Sequence, residues 1–138
     1  MARDFRKLDI YHISYAFVLD IYKVTTTFPD DEEKNIVSQI RRASVSIPLN
    51  IAEGSAKSSP KEFVYFLNVA YASGKEVQVL LDLSRDLGLL GDDGYTFLSG
   101  RVDEINAKLF LFLRNAEQRI PHKRHHFFKK FEDKKDNI

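Results

Sequence analysis

The sequence predicts an all-α protein: an antiparallel up-down-up-down four-helix bundle with a kinked second helix, assembling as a homo-oligomer. Three observations carry this expectation. Apolar residues recur at spacings of three and four in four successive segments, and no alternating strand pattern separates them. Short turns join the segments, so consecutive helices must lie antiparallel. The second segment, from Gln39 to Gly54, holds a proline in its middle and apolar residues on two opposing faces, more dry surface than a lone bundle covers.

In the first helix Ile10, Ile13, Phe17, Ile21 and Val24 share one face, and Phe28-Pro29 closes it. A second stripe, Tyr11, Tyr15, Val18 and Tyr22, widens that face and requires a cover. The second helix is expected to start at Asp30 in a capping box with Glu33 and to run to Lys57. Within it Ile36, Ile40, Ala43, Ile47, Ile51 and Gly54 fall on one side, while Val45, Leu49 and Ala52 lie nearly opposite. Together with Tyr11 and Tyr15, these three form the predicted oligomer interface. Pro48 removes a backbone bond and crowds the carbonyl of Ser44, at a cost of about 3 kcal/mol. The apolar periodicity nevertheless continues in phase through Ile51 to Gly54, which predicts a kink and not an end.

The third helix opens with Ser59 as N-cap, Pro60 at the first helical position and Glu62 at the third. Phe63, Leu67, Ala70, Val77, Leu81 and Ser84 mark its inner face, until Gly88 takes up left-handed geometry at the C-terminus. Gly74, beside Ala70 and Ser73, predicts a close helix approach despite a propensity penalty of about 1 kcal/mol. Gly91-Asp92-Asp93-Gly94 reads as the turn into helix four. There Leu98, Val102, Ile105, Leu109, Phe112, Ala116 and Ile120 approximate a heptad seam. Pro121 ends the pattern. Residues 1–120 are therefore expected to form the bundle, and residues 121–138 a basic, aromatic tail.

Composition narrows the function classes. A chain of 138 residues with 43% hydrophobic content supports one core, and the lack of cysteine rules out disulfides, thiolate metal sites and cysteine nucleophiles. Such usage fits a cytoplasmic protein, and with neither a leader-like apolar segment nor a run of about 18 apolar residues, no membrane role is expected. Residues 1–120 hold 15 Lys+Arg against 17 Asp+Glu, a net of −2, whereas residues 121–138 hold 6 against 3, a net of +3. Polyanion affinity should therefore concentrate in the tail, where Lys123, Arg124, Lys129 and Lys130 alternate with Phe127, Phe128 and Phe131. A disordered terminus, or phenylalanines docked on a neighbouring subunit, are the other readings of that segment.

The run Gln39 to Gly54, followed by Ser59-Pro60-Lys61-Glu62-Phe63 and preceded by Phe5-Arg6-Lys7-Leu8-Asp9-Ile10, resembles the small four-helix-bundle proteins encoded in intervening sequences of bacterial 23S ribosomal RNA genes. The likeness spans residues 4 to 120. It implies a ring-like homopentamer, and kinship with the accessory variability determinant proteins of diversity-generating retroelements, which work with a reverse transcriptase and nucleic acid. Those accessory proteins are strongly basic on the body, unlike residues 1–120 here, and the tail is not part of the family pattern.

Arg42, Ser46, Asn50, Glu53 and Lys57 form a polar stripe along helix two. Arg42, Asn50 and Glu53 are expected either to fix subunit register, Arg42 pairing with Glu53 or a neighbour's carboxylate, or to contact a ligand. His122, His125 and His126 lack a carboxylate or cysteine to complete a tetrahedral set, so no metal is expected. Ala72-Ser73-Gly74-Lys75-Glu76 lacks the upstream glycine and following hydroxyl of a phosphate loop, and no nucleophile with an oriented base is evident. No enzyme activity and no cofactor are expected. Two function classes follow: an oligomer associated with RNA or DNA, and a structural adaptor that engages a protein partner without nucleic acid.

Overall fold

Four apolar-striped segments joined by short turns have one economical arrangement, each helix folding back on the last to hide its stripe. The computed structural model describes residues 3–120, and among them the elements are α1 (Asp9–Thr25), α2 (Ser38–Ser55), α3 (Pro60–Asp86) and α4 (Asp92–Gln118), with no strand. A short 3₁₀ turn, Phe5–Lys7, precedes α1. Cross-helix contacts pair Asp9 with Lys108, Tyr22 with Arg41, Ser46 with Ser73 and Gln78 with Asp103, which makes every neighbouring pair antiparallel.

The face of α1 that turns inward carries Ile10, Ser14, Phe17, Ile21 and Thr25. Ile13 and Val24, expected inside, sit half-buried at its edges. Two hydroxyls occupy inner positions because each bonds within its own helix, Ser14 Oγ donating to the Tyr11 carbonyl at 3.0 Å and Thr25 Oγ1 to that of Ile21 at 2.7 Å. Such a hydroxyl is dry without being orphaned.

All six residues predicted for the inner face of helix two are buried, but the helix does not begin as expected. Asp30–Glu32 form a 3₁₀ turn with no side-chain cap, and Glu33–Val37 a wide π-type stretch in which Asn35 adopts φ −108°, ψ −106°. The capping box is absent, and regular α-helix starts only at Ser38. Within this irregular entry the consecutive Ile36 and Val37 are both buried. From Ser38 the helix runs unbroken through Pro48 to Ser55, so the predicted continuity holds.

The ends of α3 follow the expected chemistry. Ser59 Oγ accepts from the Glu62 amide at 3.4 Å, and Pro60 occupies the first turn. At the far end Gly88 has φ +75°, the Leu89 amide donates to the Ser84 carbonyl at 2.9 Å and the Gly88 amide to that of Arg85 at 3.0 Å, the paired bonds of a Schellman motif. The following turn is shorter than expected. Gly91 serves as N-cap and Asp92, Asp93 and Gly94 already belong to α4, the two carboxylates lying at the positive end of the helix. In α4 the inner row passes from Leu109 to Leu113 and Ala116, leaving Phe112 and Ile120 half-buried at the margin, Phe112 edge-on to Phe63 at 5.7 Å.

Spacing between helices is set by glycine. A Cβ on Gly54 would stand 2.7 Å from Phe66 Cβ, and one on Gly74 would meet Asn106 Oδ1 at 1.9 Å, so α3 closes on α2 at one glycine and on α4 at the other. Gly54→Ala should gain about 1 kcal/mol in helix propensity and lose about 1–3 kcal/mol to overpacking against a rigid Cβ. A net loss of stability is expected in urea unfolding.

Candidate functional site

Regular helix spacing brings the residues predicted for an interface together. Tyr11, Tyr15, Val45, Leu49 and Ala52 all line one groove of about 390 Å³ between α1 and α2, joined by Phe5 and Leu19, and no charged residue lines it. Phe5 meets Tyr11 edge-on at 4.8 Å. Leu49 is 59% exposed, Leu19 58% and Tyr15 52%, while Ile40, Ile47 and Ile51 on the other side of α2 are fully dry. The core is thus complete without this face.

The polar stripe of helix two does not act as a unit. Arg42 is exposed and makes no ion pair among the described residues, and eleven residues of helix, about 16 Å, separate it from Glu53. The in-chain Arg42–Glu53 pair is therefore excluded. Asn50 instead turns back on its own helix, its Nδ2 donating to the Ser46 carbonyl at 2.7 Å and to Ser46 Oγ at 2.9 Å. Ser46 Oγ lies 2.8 Å from Ser73 Oγ, which donates to the Val69 carbonyl at 2.9 Å. With Ser73 committed to that carbonyl, Ser46 must be the donor to Ser73. The result is one directed relay from Asn50 on α2 to the backbone of α3, and Asn50 serves helix packing.

Arg41 is the functional-looking side chain that periodicity overlooks. Its Nε donates to Thr25 Oγ1 at 2.9 Å and its Nη2 to the Tyr22 carbonyl at 3.5 Å, with the guanidinium 4.5 Å from the Tyr22 ring centroid. A cation thus sits on the C-terminal end of α1, where it complements the helix dipole. Lys108 donates to Asp9 Oδ2 at 2.7 Å, and that hydrogen bond raises its pKa above the ordinary lysine value; Arg85 is raised likewise, chiefly by its bond to Asp86. Both pairs are exposed and join or decorate helix surfaces without forming a reactive site.

Antiparallel folding also sorts charge in a way the linear sequence conceals. The end that carries Arg3 and Ile120 gathers Arg3, Arg6, Lys7, Lys57, Lys61, Arg114 and Arg119 against Asp4, Asp9, Glu53, Glu62 and Glu117. The opposite end gathers Lys23, Lys34, Arg41 and Arg85 against Asp30, Asp31, Glu32, Glu33, Asp82, Asp86, Asp92 and Asp93. One end is modestly basic and the other strongly acidic. Arg3 anchors the basic end, its amide donating to the Ser55 carbonyl at 2.7 Å and its guanidinium lying 4.0 Å from the Phe63 centroid. The tail residues Lys123, Arg124, Lys129 and Lys130, and the three tail histidines, lie outside the described residues.

A second groove, between α3 and α4, holds the least satisfied side chain of the bundle. Asn106 is 4% exposed, and neither its Nδ2 nor its Oδ1 has a hydrogen-bond partner among the described residues. No three His, Asp or Glu side chains gather as a metal site among the described residues, and no described helix is long and apolar enough to cross a membrane.

Residues 6–110 match the family described as 23S rRNA-intervening sequence protein. A crystal structure from Bacteroides thetaiotaomicron VPI-5482, of a protein with unknown function from the S23 ribosomal protein family, is similar with a TM-score of 0.70 and 25% sequence identity, covering 76% of this chain and 98% of that one. No curated protein matches.

Leaving a buried amide unpaired costs about 1–3 kcal/mol. Asn106→Ala is therefore expected to raise stability by about that amount, read as a higher urea midpoint with an unchanged slope.

Proposed function

The chain belongs to the 23S rRNA-intervening sequence protein family, and from that premise we propose that it is a non-enzymatic homo-oligomer that associates with RNA or DNA as an accessory protein. The observation that carries the reading is the uncharged α1/α2 groove. A face presenting Tyr15, Leu19 and Leu49 to solvent, on a bundle whose core is already closed, is surface that water disfavours and a second copy would cover. A contact that is not self-complementary repeats head to tail and forms a ring where its rotation closes, and the family resemblance puts that ring at five subunits. In that assembly Val45, Leu49, Ala52, Tyr11 and Tyr15 are the interface, and Arg42 and Glu53, free of each other within the chain, meet charges on a neighbour.

Nucleic acid enters the reading through charge. A bundle body of net −2 has no surplus to neutralise phosphates, but its cations gather at the end from which residues 121–138, of net +3, depart. Subunits arranged about an axis would bring several such ends to one rim, where linked weak contacts gain from effective concentration. The absence of any nucleophile paired with an oriented base among the described residues fits binding better than chemistry. Kinship with the accessory proteins of retroelements is part of the same reading.

Two measurements test it. Sedimentation at micromolar concentration should show a species several times 16.0 kDa, and Leu49→Lys should reduce it to monomer with helical content unchanged; a wild-type monomer would refute the oligomer. Nucleic-acid affinity measured across a salt series should fall, with a shallower slope, when residues 121–138 are deleted. Every phosphate that the truncated protein fails to neutralise should take about 0.9 off the slope on duplex DNA and about 0.7 on a single strand. An unchanged slope would take the tail out of the mechanism.

A further inference from the structure

The α3/α4 groove differs in kind from the apolar one between α1 and α2. It is a shallow depression, wide open to solvent, of about 540 Å³, and antiparallel register divides its lining into three tiers. At one end Tyr71 and Phe110 have ring centroids 6.1 Å apart, and Lys75 Nζ lies 5.2 Å from the Tyr71 centroid. At the other end Gln78 Nε2 donates to Asp103 Oδ1 at 2.7 Å. Between them lies Asn106, more than nine-tenths buried, its donor and its acceptor both unmatched. Gly74 makes room for it, since a Cβ there would fall on Oδ1. A bundle built only for packing would place an aliphatic side chain at such a position.

We propose that this groove binds a nucleobase, adenine in particular, with the Asn106 amide reading the base edge. An asparagine amide sets a donor beside an acceptor, and adenine offers the complementary pair at N7 and N6. Guanine presents two acceptors on the same edge and would leave the Asn106 carbonyl facing a lone pair. To meet a base, the Asn106 amide would have to swing out from its buried place against Gly74 into the groove. Tyr71 supplies an aromatic face, and stacking on such a face tolerates any base, so selectivity rests on the amide. Lys75 can leave the Tyr71 ring for a phosphate entering at that end, while Asp103 is held by Gln78 at the far end. From Tyr71 to Gln78 the helix advances about 10 Å, room for one base and too little for a partner helix.

The same base chemistry comes from a free mononucleotide or from an unpaired adenine in an RNA strand. The strand source rests on the nucleic-acid reading above; the mononucleotide source does not. The full chain is titrated with AMP and GMP, followed by amide chemical shifts, and with A-rich and U-rich single-stranded RNA, followed by fluorescence anisotropy. AMP should bind at least about tenfold more tightly than GMP, as a bidentate contact requires. Asn106→Ala should remove that preference, and Tyr71→Leu should weaken both nucleotides. Retention of the preference in Asn106→Ala, or no AMP binding by wild-type protein, would overturn the proposal. A preference for A-rich RNA that Asn106→Ala abolishes, with the salt slope unchanged, supports the strand source. AMP binding with no RNA affinity supports the mononucleotide source and sinks the nucleic-acid reading instead, while RNA affinity without any AMP response sinks the groove and spares that reading.

Discussion

Close approach at two glycines sets the geometry of this bundle. Where Gly54 faces Phe66 Cβ and the Phe63 carbonyl, no Cβ intervenes and α2 lies close on α3, while the space a Cβ would take at Gly74 is filled by the Asn106 amide from α4. Dispersion and burial both reward that proximity, because protein interiors are packed to the density of organic crystals. The serine relay depends on it too. Ser46 and Ser73 have short side chains, and their hydroxyls reach 2.8 Å only because the helices that carry them are already close. Asn106 is buried for the same reason: the space beside Gly74 that admits its amide also cuts it off from water.

A second consequence concerns the outer face of α2. Its inner side is saturated, with Ile40, Ile47 and Ile51 fully dry, and its flank toward α3 is occupied by the Asn50 relay. Nothing in the fold therefore draws Leu49 inward. Pro48 strengthens the point. A proline in a helix interior is a liability of about 3 kcal/mol, yet the helix continues through it, with the proline buried and in contact with the α1/α2 groove. A side chain so costly to the helix is best understood by what it helps to shape on the surface.

Residue order reveals the elements whose signals are local. Pro60 after Ser59, Gly88 after the last turn of α3 and the six-residue apolar row of α2 each act through neighbours within a few positions, and all are where spacing put them. Failures occur where the decision is made across helices. Asp30 and Glu33 have the letters of a capping box, but they sit in a 3₁₀ turn and a π-type stretch that lead Ile36 and Val37 into the core, and no capping box forms. Ser14 and Thr25 look polar, yet they are interior because their hydroxyls return to their own helix. The stripe from Arg42 to Glu53 looks like one constellation on a helical wheel, but it divides once α3 arrives, which takes Asn50 and leaves Arg42. Tyr11, Tyr15, Val45, Leu49 and Ala52 were legible as a set because two antiparallel helices with in-phase stripes must bring them together. Asn106 was not, since its singularity is the absence of a partner, which only coordinates display.

Charge sorting gives the bundle a direction that neither composition nor net charge reveals. A net of −2 over residues 1–120 reads as neutral, yet antiparallel helices put Arg3, Ile120 and the α2–α3 connection on the basic side and the α1–α2 and α3–α4 connections on the acidic side. At physiological ionic strength fields decay over about 8 Å, far less than the roughly 40 Å length of a 27-residue helix. A phosphate backbone near the basic end would therefore scarcely feel the carboxylates at the other. For a polyanion the relevant quantity is the local charge of that end multiplied by the number of copies presenting it. Under the proposed reading, assembly and polyanion affinity would be linked through geometry: the apolar groove lies between α1 and α2, so copies joined there with their helices in parallel would point their basic ends the same way. Copies joined antiparallel would instead set basic ends against acidic ones, cancelling the polarity that a polyanion could use.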